Sequence, residues 1–374
     1  MLDLAVNGYS QQQVIDRLYG RTGSRGIVKF RYELLNSKDV VLGELKAQPG
    51  RIELNSLAEI KRTATFQITE QEGQDINWLS DRIRPVFCLQ MQDGGWAEWS
   101  LGIFLPSSPF RKDNNRKIKR DIEAYDTSQI LVDDKFADRY RISAGTTYTT
   151  AINTILSSID AWKINIPNHP GTLAADKEFP IGTTKLQAVN QLLSEVNFTS
   201  LWVDENGYFT ALPYVLPVNR EVEHEYRNDD LSIIHPDSAS EVLDLFDLPN
   251  KWVRYVSNPD KETTLRSEYT NSLASSPTST LSRGRTIVDI DSVDDIYDQT
   301  TLDAYVKRIA YDASQVYAKF DFSTAIMPHH SFLDCLFVEH TDFGINSKYI
   351  ESSWSMDLTA GGTMTHNCRK VIQI

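Results

Sequence analysis

His329 and His330 stand side by side, and Asp334, Glu339 and His340 follow downstream. Imidazoles and carboxylates are the ligands of zinc, but a zinc site needs spacing that converges them. Neighbours on an extended segment project to opposite faces. His329 and His330 are therefore read as surface or interface histidines, and no metal site is assigned. A second candidate, DIDSVDDIYD over 289–298, gathers Asp289, Asp291, Asp294, Asp295 and Asp298. Calcium loops use such residues, yet an EF-hand also needs a central glycine and a closing glutamate, and neither is here. The stretch reads instead as an acidic loop that complements the dipole of a following helix. Ser143-Ala144-Gly145 comes nearest to a nucleophile elbow and lacks the required flanking glycine. No Walker A, GxGxxG or HExxH pattern occurs. A glycosidase pair is recognised by the spatial separation of two carboxylates, which cannot be picked from 51 acidic residues in sequence. The reading assigns no catalytic, cofactor-binding or metal residue.

Aromatic chemistry is the other possibility. DGGWAEWSLGIFLPSSP, residues 93–109, could offer tryptophans to a sugar. Strand parity divides it: Trp96, Glu98 and Ser100 share one face, and Ala97, Trp99, Leu101 and Ile103 the other. Trp99 belongs to an apolar stripe and reads as core. Trp96 lies beside the Asp93-Gly94-Gly95 turn as a rim residue or a contact to a neighbouring subunit. The basic run Arg111, Lys112, Arg116, Lys117, Lys119 and Arg120 reads as a solvated hairpin.

The bulk numbers narrow the class. A net charge of −13 disfavours a nucleic-acid-binding basic face. Cys88, Cys335 and Cys368 are odd in number, far apart and without a CxxC, which supports neither a disulfide framework nor a zinc ribbon. No signal peptide or transmembrane span is legible, so folding in a cytosol is expected.

The elements that would position these residues follow from periodicity. Ser10 caps a short helix over 10–19, and a glycine-bearing hinge runs to 26. This appendage is a candidate for packing on a neighbouring subunit. From 27 to 134 the period is two, with turn signals at Pro49-Gly50 and Asp93-Gly94-Gly95, which argues a barrel or sandwich. Residues 135–220 alternate strand, helix, strand, helix and a hairpin at Asn206-Gly207, a type I′ pair. Thr183 or Thr184 caps the second of those helices. Residues 221–374 return to strands around an inserted loop and helix over about 258–320. Within it, SEYTNSLASSPTSTLSRGR resembles a linker or extended edge. Thr300 and Asp303 fit a capping box for a helix running from 300 to Phe320. Gly361-Gly362 closes a final hairpin. The fold class is mainly β with α+β parts: two tube-type β-barrel or sandwich domains flanking a small α/β domain.

In order along the chain, LSDRIRPVFCLQM, GGWAEWSLGIFLPSSPFR, IEAYDTSQIL and AGTTYTTAINTIL resemble the hub proteins of phage and prophage tails. SPTSTLSRGRTIV, DIYDQTTLDAYVKRIAYDASQVY and TAIMPHHSFLDC extend the resemblance over roughly residues 60–374. It implies a non-enzymatic homotrimer carrying two tube-type barrels per subunit, so that six barrels match a hexameric tail tube to a trimeric tip. Its partners would be a distal tail or tail-tube protein above, and the tape-measure protein and a spike, fibre or lysin component below. DNA would pass through the channel without specific binding, past a wall whose acidity suits sliding. The place would be the virion tail, assembled in the bacterial host cytoplasm. Many relatives continue into a lysin or spike; none follows Ile374 here, and no lytic activity is expected. Two alternatives stay open, a cell-wall or glycan-binding tail protein and a peptidoglycan hydrolase.

Overall fold

Alternating apolar and polar residues become strands wherever the sequence reads so, and the chain is mainly β. The computed structural model describes residues 1–374 apart from 22, 24–25, 72, 74, 108, 115–116, 230–233, 244–247, 257–264 and 294–295. After helix α1 (Gln11–Leu18) come β1 (Val28–Leu35), β2 (Val41–Leu45), β3 (Ala47–Asn55), β4 (Arg62–Thr69) and β5 (Arg82–Gln90). The first β-unit continues with β6 (Trp96–Ser100), β7 (Phe104–Pro106), β8 (Phe110–Asn114) and β9 (Lys117–Asp126). The middle of the chain holds α2 (Gln129–Asp133), β10 (Tyr140–Ile142), α3 (Tyr148–Ser157) and β11 (Ile164–Asn165). It goes on through β12 (Lys177–Phe179), α4 (Lys185–Glu195), β13 (Trp202–Val203) and β14 (Phe209–Thr210). Then come β15 (His224–Arg227), β16 (Ser240–Leu243), β17 (Lys251–Val256), β18 (Arg266–Thr270), α5 (Thr280–Arg283), β19 (Val288–Val293) and α6 (Gln299–Ser314). The last strands are β20 (Ala318–Ala325), β21 (Cys335–His340), β22 (Ile345–Asp357) and β23 (Thr363–Lys370).

The two β-units are joined through one hydrogen-bonded path, β16-β20-β23-β22-β3-β4-β9-β7-β5-β1-β2. The junction is antiparallel pairing of β3 with β22, from Asn55 opposite Ser353 to Arg51 opposite Asp357. Their apolar residues form one contiguous cluster, in which Leu34, Phe66 and Phe104 of the first unit meet Phe320, Phe322 and Trp354 of the second. A second cluster lies around α3 and α4, where Ile152, Leu156, Val189 and Leu193 are buried. A third lies between α6 and the sheet β18-β17-β19, built on Trp252, Leu302, Val306 and Ala310 and closed by Ile372 and Ile374.

Several local readings are corrected. Pro49-Gly50 is no turn but a bulge inside β3, where the pairing with β4 slips between Gln48 and Arg51. A Cβ on Gly50 would lie 2.2 Å from the Thr65 carbonyl oxygen, so only glycine allows the approach. Between Val203 and Phe209 the chain spans a five-residue loop, with Gly207 at φ +84° and the Asp204 amide bound to the Tyr208 carbonyl. The two-residue type I′ turn is therefore replaced by a longer loop that needs only one left-handed residue. Thr184, not Thr183, caps α4, in a capping box with Gln187. Helix α6 ends at Ser314, and Phe320 lies inside β20, where strand pairing overrides its helical spacing. Its cap is Asp298, whose carboxylate accepts from the Thr301 amide at 2.7 Å, rather than a Thr300–Asp303 box.

Candidate assembly edges and a buried histidine cluster

The tryptophan hairpin is built as parity requires. Gly94 takes φ +85°, the Met91 amide donates to the Gly95 carbonyl, and the Asp93 carboxylate accepts from the Gly95 amide. Trp99 is buried, packs on Phe87 with ring centroids 5.8 Å apart, and donates its Nε1–H to the Asp3 carbonyl at 3.3 Å. Trp96 is half-buried, with the Lys29 ammonium 4.0 Å from its ring centre. One indole is core and the other is covered by a cation, so this hairpin offers no bare aromatic platform. The basic run falls on the β8–β9 hairpin, where three of its charges are met by acids and Lys119 reaches the Gln67 amide oxygen. Arg111 and Arg120 reach Glu70, and Lys112 reaches Asp121. Arg116 lies outside the described residues.

The strand path has two open ends. Among the described residues β2 pairs with β1 and β16 with β20, and neither has a neighbour on its other side. Both edges carry apolar side chains into solvent. Val41 and Leu42 on β2, and Val242 and Leu243 on β16, are each about half exposed, with Val40 beside them. An unpaired edge with apolar side chains is a template for pairing with another chain.

The N-terminal segment and the serine- and threonine-rich segment both make ordered contacts within the chain. The N-terminal residues lie across both β-units. Val14 is fully buried in the shared core, Arg17 donates to the Gln90 carbonyl, the Glu98 amide donates to Asn7, and Tyr19 meets His224. The serine- and threonine-rich segment is an ordered loop rather than a linker. Asn271, Ser276, Thr278 and Ser279 are buried, and the Asn271 amide donates to both Ser276 and Thr278 at 3.0 Å. Buried hydroxyls need partners, and these supply each other's.

The histidines are the largest departure. His329 and His330 sit in a turn, not on an extended segment, and both are buried rather than at the surface. Glu339 and His340 end β21 and do not join them. His330 instead meets two residues from the adjacent strands β22 and β23. Glu351 Oε2 lies 2.6 Å from His330 Nδ1, and Glu351 Oε1 lies 2.6 Å from His366 Nδ1. Glu351 points inward at the same strand parity as Ile345 and Tyr349, just before the β22–β23 register slips between Glu351 and Ser353. His366 holds an inward position between Met364 and Cys368. The far ring nitrogens bind hydroxyls, His330 Nε2 to Tyr226 at 2.5 Å and His366 Nε2 to Thr324 at 2.8 Å. Asp334 Oδ2 is 3.3 Å from His330 Nδ1 and accepts the Ser331 amide, while its Oδ1 is 3.0 Å from the Met1 amino group. His329 faces His224 at 3.3 Å.

Burial and charge set the protonation of this cluster. Burial presses His330 towards the neutral form, but Glu351 and Asp334 outweigh it and its pKa is pushed up to about 9. Asp334 is buried too, yet the hydrogen bond to His330 and the Met1 ammonium hold it below the usual carboxylate range. His366 and His329 are lowered by burial, and His224 by burial and by His330 and His366 to about 3.

The remaining candidates are structural. Asp289 is gripped by Arg254 at 2.9 and 3.2 Å from within β19, which is a strand rather than a loop; Asp298 caps α6. Asp294 and Asp295 lie outside the described residues. Ser143 is exposed in a turn before α3, and the Ala144 amide is held by Asp176. Among the described residues no helix is long and apolar enough to cross a membrane.

No family model and no curated protein matches the chain. Solved structures do. It is similar to the tail protein from Neisseria meningitidis MC58, at 12% identity over 91% of this chain and 96% of that one, with a TM-score of 0.64. The prophage MuSo2 43 kDa tail protein from Shewanella oneidensis matches at 11% identity over 90% and 98%, with a TM-score of 0.60. The prophage tail protein gp18 from Listeria monocytogenes EGD-e matches at 12% identity over 90% and 94%, with a TM-score of 0.57. The chain thus has the fold of phage and prophage tail proteins, and the resemblance read from its ordered motifs holds at that level.

Proposed function

We propose that this chain is a structural hub of a phage-type tail tip, a homotrimer that joins a hexameric tail tube to a trimeric tip and lines the DNA channel. The observation that carries the reading is the open strand path. Two β-units are fused through β3 and β22 into one sheet, and the two ends of its longest strand path, β2 and β16, are open on one side among the described residues and carry exposed apolar side chains, while β6, β8 and the β21–β15 pair branch from that path. Two different edges on one chain make a head-to-tail contact, and such a contact closes into a ring when its rotation allows. The occupant of β2 is then β16 of the next copy. Tail proteins of the same fold, matched over nearly the whole of each solved chain, support the tail assignment, and the trimer number rests on the resemblance to tail hubs.

The role asks no catalysis of the chain. Its partners are a distal tail or tail-tube protein above, and the tape-measure protein and a spike, fibre or lysin component below. It works in the virion tail after assembly in the host cytoplasm. A net charge of −13 suits a wall past which phosphates slide without tight contacts. The test is mass in solution by light scattering over a concentration series. The reading expects three times the 42.5 kDa chain mass. It expects a single-chain mass once Leu42→Lys and Val242→Lys place like charges on the two edges. A 374-residue chain that stays monomeric throughout, or an edge-charged pair that assembles unchanged, overturns it.

A further inference from the structure

We propose that His330, Glu351 and His366 form a binding site for a divalent transition-metal cation, zinc foremost, which fastens the β20–β21 turn to β22 and β23. The donor atoms of these residues converge within 4.8 Å of one another, although they come from three places in the chain. All three side chains are fully buried. The arrangement carries the supports that orient imidazole ligands. Each ring offers Nδ1 to the centre and ties Nε2 to a hydroxyl, Tyr226 for His330 and Thr324 for His366. Such outer partners fix the tautomer and the ring direction of metal-bound histidines. Rings pin the planes as well, with Phe322 stacked on His366 at 4.7 Å and Tyr226 on His330 at 5.8 Å.

Charge points the same way. Glu351 and Asp334 place two carboxylates in the interior, and buried charges need partners. A divalent cation with two neutral imidazoles meets the charge of Glu351, while the Met1 ammonium stays beside Asp334. Two nitrogens and a carboxylate oxygen suit zinc and its neighbours, whereas calcium and magnesium take oxygen shells. The present 2.6 Å separations are those of hydrogen bonds. Zinc bonds of about 2.0–2.1 Å place tetrahedral ligands about 3.3 Å apart. Loading therefore asks Glu351 and the two rings to part by about 0.7 Å, with the ion taking the place of each Nδ1 proton and each Nε2 carrying the proton that keeps its ring neutral. Asp334 stays beside His330 as the second carboxylate of the shell. The site is independent of the tail assignment and can fail or stand without it.

The experiment uses the 374-residue chain without an affinity tag, dialysed against micromolar zinc chloride and then against metal-free buffer, with metal counted by plasma mass spectrometry. About one zinc per chain is expected, together with a melting temperature that falls on chelation and returns with zinc. Substituting His366→Gln, with folding checked by circular dichroism, is expected to bring zinc to background and remove the zinc-dependent shift. Should that variant not fold, the wild-type stoichiometry and an anomalous peak between the two Nδ1 atoms at the zinc edge decide. A wild-type chain that retains no zinc and melts identically with chelator and with zinc overturns the proposal, and leaves a purely hydrogen-bonded cluster. Retention of calcium in place of zinc overturns it as well.

Discussion

Trp99 and Trp96 sit on one strand with opposite consequences. Trp99 fills the core against Phe87, and truncating it to alanine is expected to cost about 3–5 kcal/mol in urea unfolding. Trp96 is half-exposed under Lys29, and its truncation is expected to cost no more than about 1 kcal/mol, the scale of an exposed cation–π contact. Equal losses at the two positions would contradict the parity of β6. The thiols give a second measurement at this scale. Burial pushes Cys88 up to about 11 and Cys368 well above its ordinary value, so both stay protonated at neutral pH. The thiolate is the reactive form. A disulfide reagent at pH 7.5 is expected to leave the native chain unlabelled and to modify all three cysteines in denaturant. Fast labelling of the folded chain would contradict that burial. Trp99 was legible because alternation states its face directly. Glu351 was not, because a carboxylate in a strand reads as solvent-facing even where it shares the inward parity of Ile345 and Tyr349. His366 did leave a signal, a histidine at an inward position of the alternating strand MTHNC, but only contact with Glu351 gives it meaning.

At the scale of elements, strands and helices with clean periodicity were readable, and their exceptions have particular causes. Gly50 reads as a turn because Pro49-Gly50 is a turn dipeptide, yet its glycine serves a backbone approach within β3. Gly50→Ala is expected to destabilise the chain by more than the ordinary glycine-to-alanine change in a strand, because the Thr65 carbonyl must move; a neutral or stabilising result in urea unfolding would contradict the close approach. At α6, Asp298→Ala is expected to cost about 1 kcal/mol through the lost cap, and Thr300→Ala nearly nothing. The reverse order would restore the capping box read from sequence. The loop containing Asn271 shows why composition misled. Serine and threonine usually mark solvated linkers, but here their hydroxyls pair with a buried asparagine. Density of polar residues says nothing of whether they find one another.

For the whole molecule, the mainly β class was visible from the changes of period along the chain. The junction between the units was not. Pairing of β3 with β22 joins residues about three hundred positions apart, and edge-to-edge pairing leaves no mark in either strand alone. Among the described residues β2 and β16 end the longest strand path through that junction, and the assembly proposal rests on them. Direct imaging of the purified assembly by electron cryomicroscopy tests it best. The account expects a threefold ring of six β-units around an open channel, with β2 of each copy against β16 of the next. A ring of another symmetry, or one in which both edges face solvent, would contradict it.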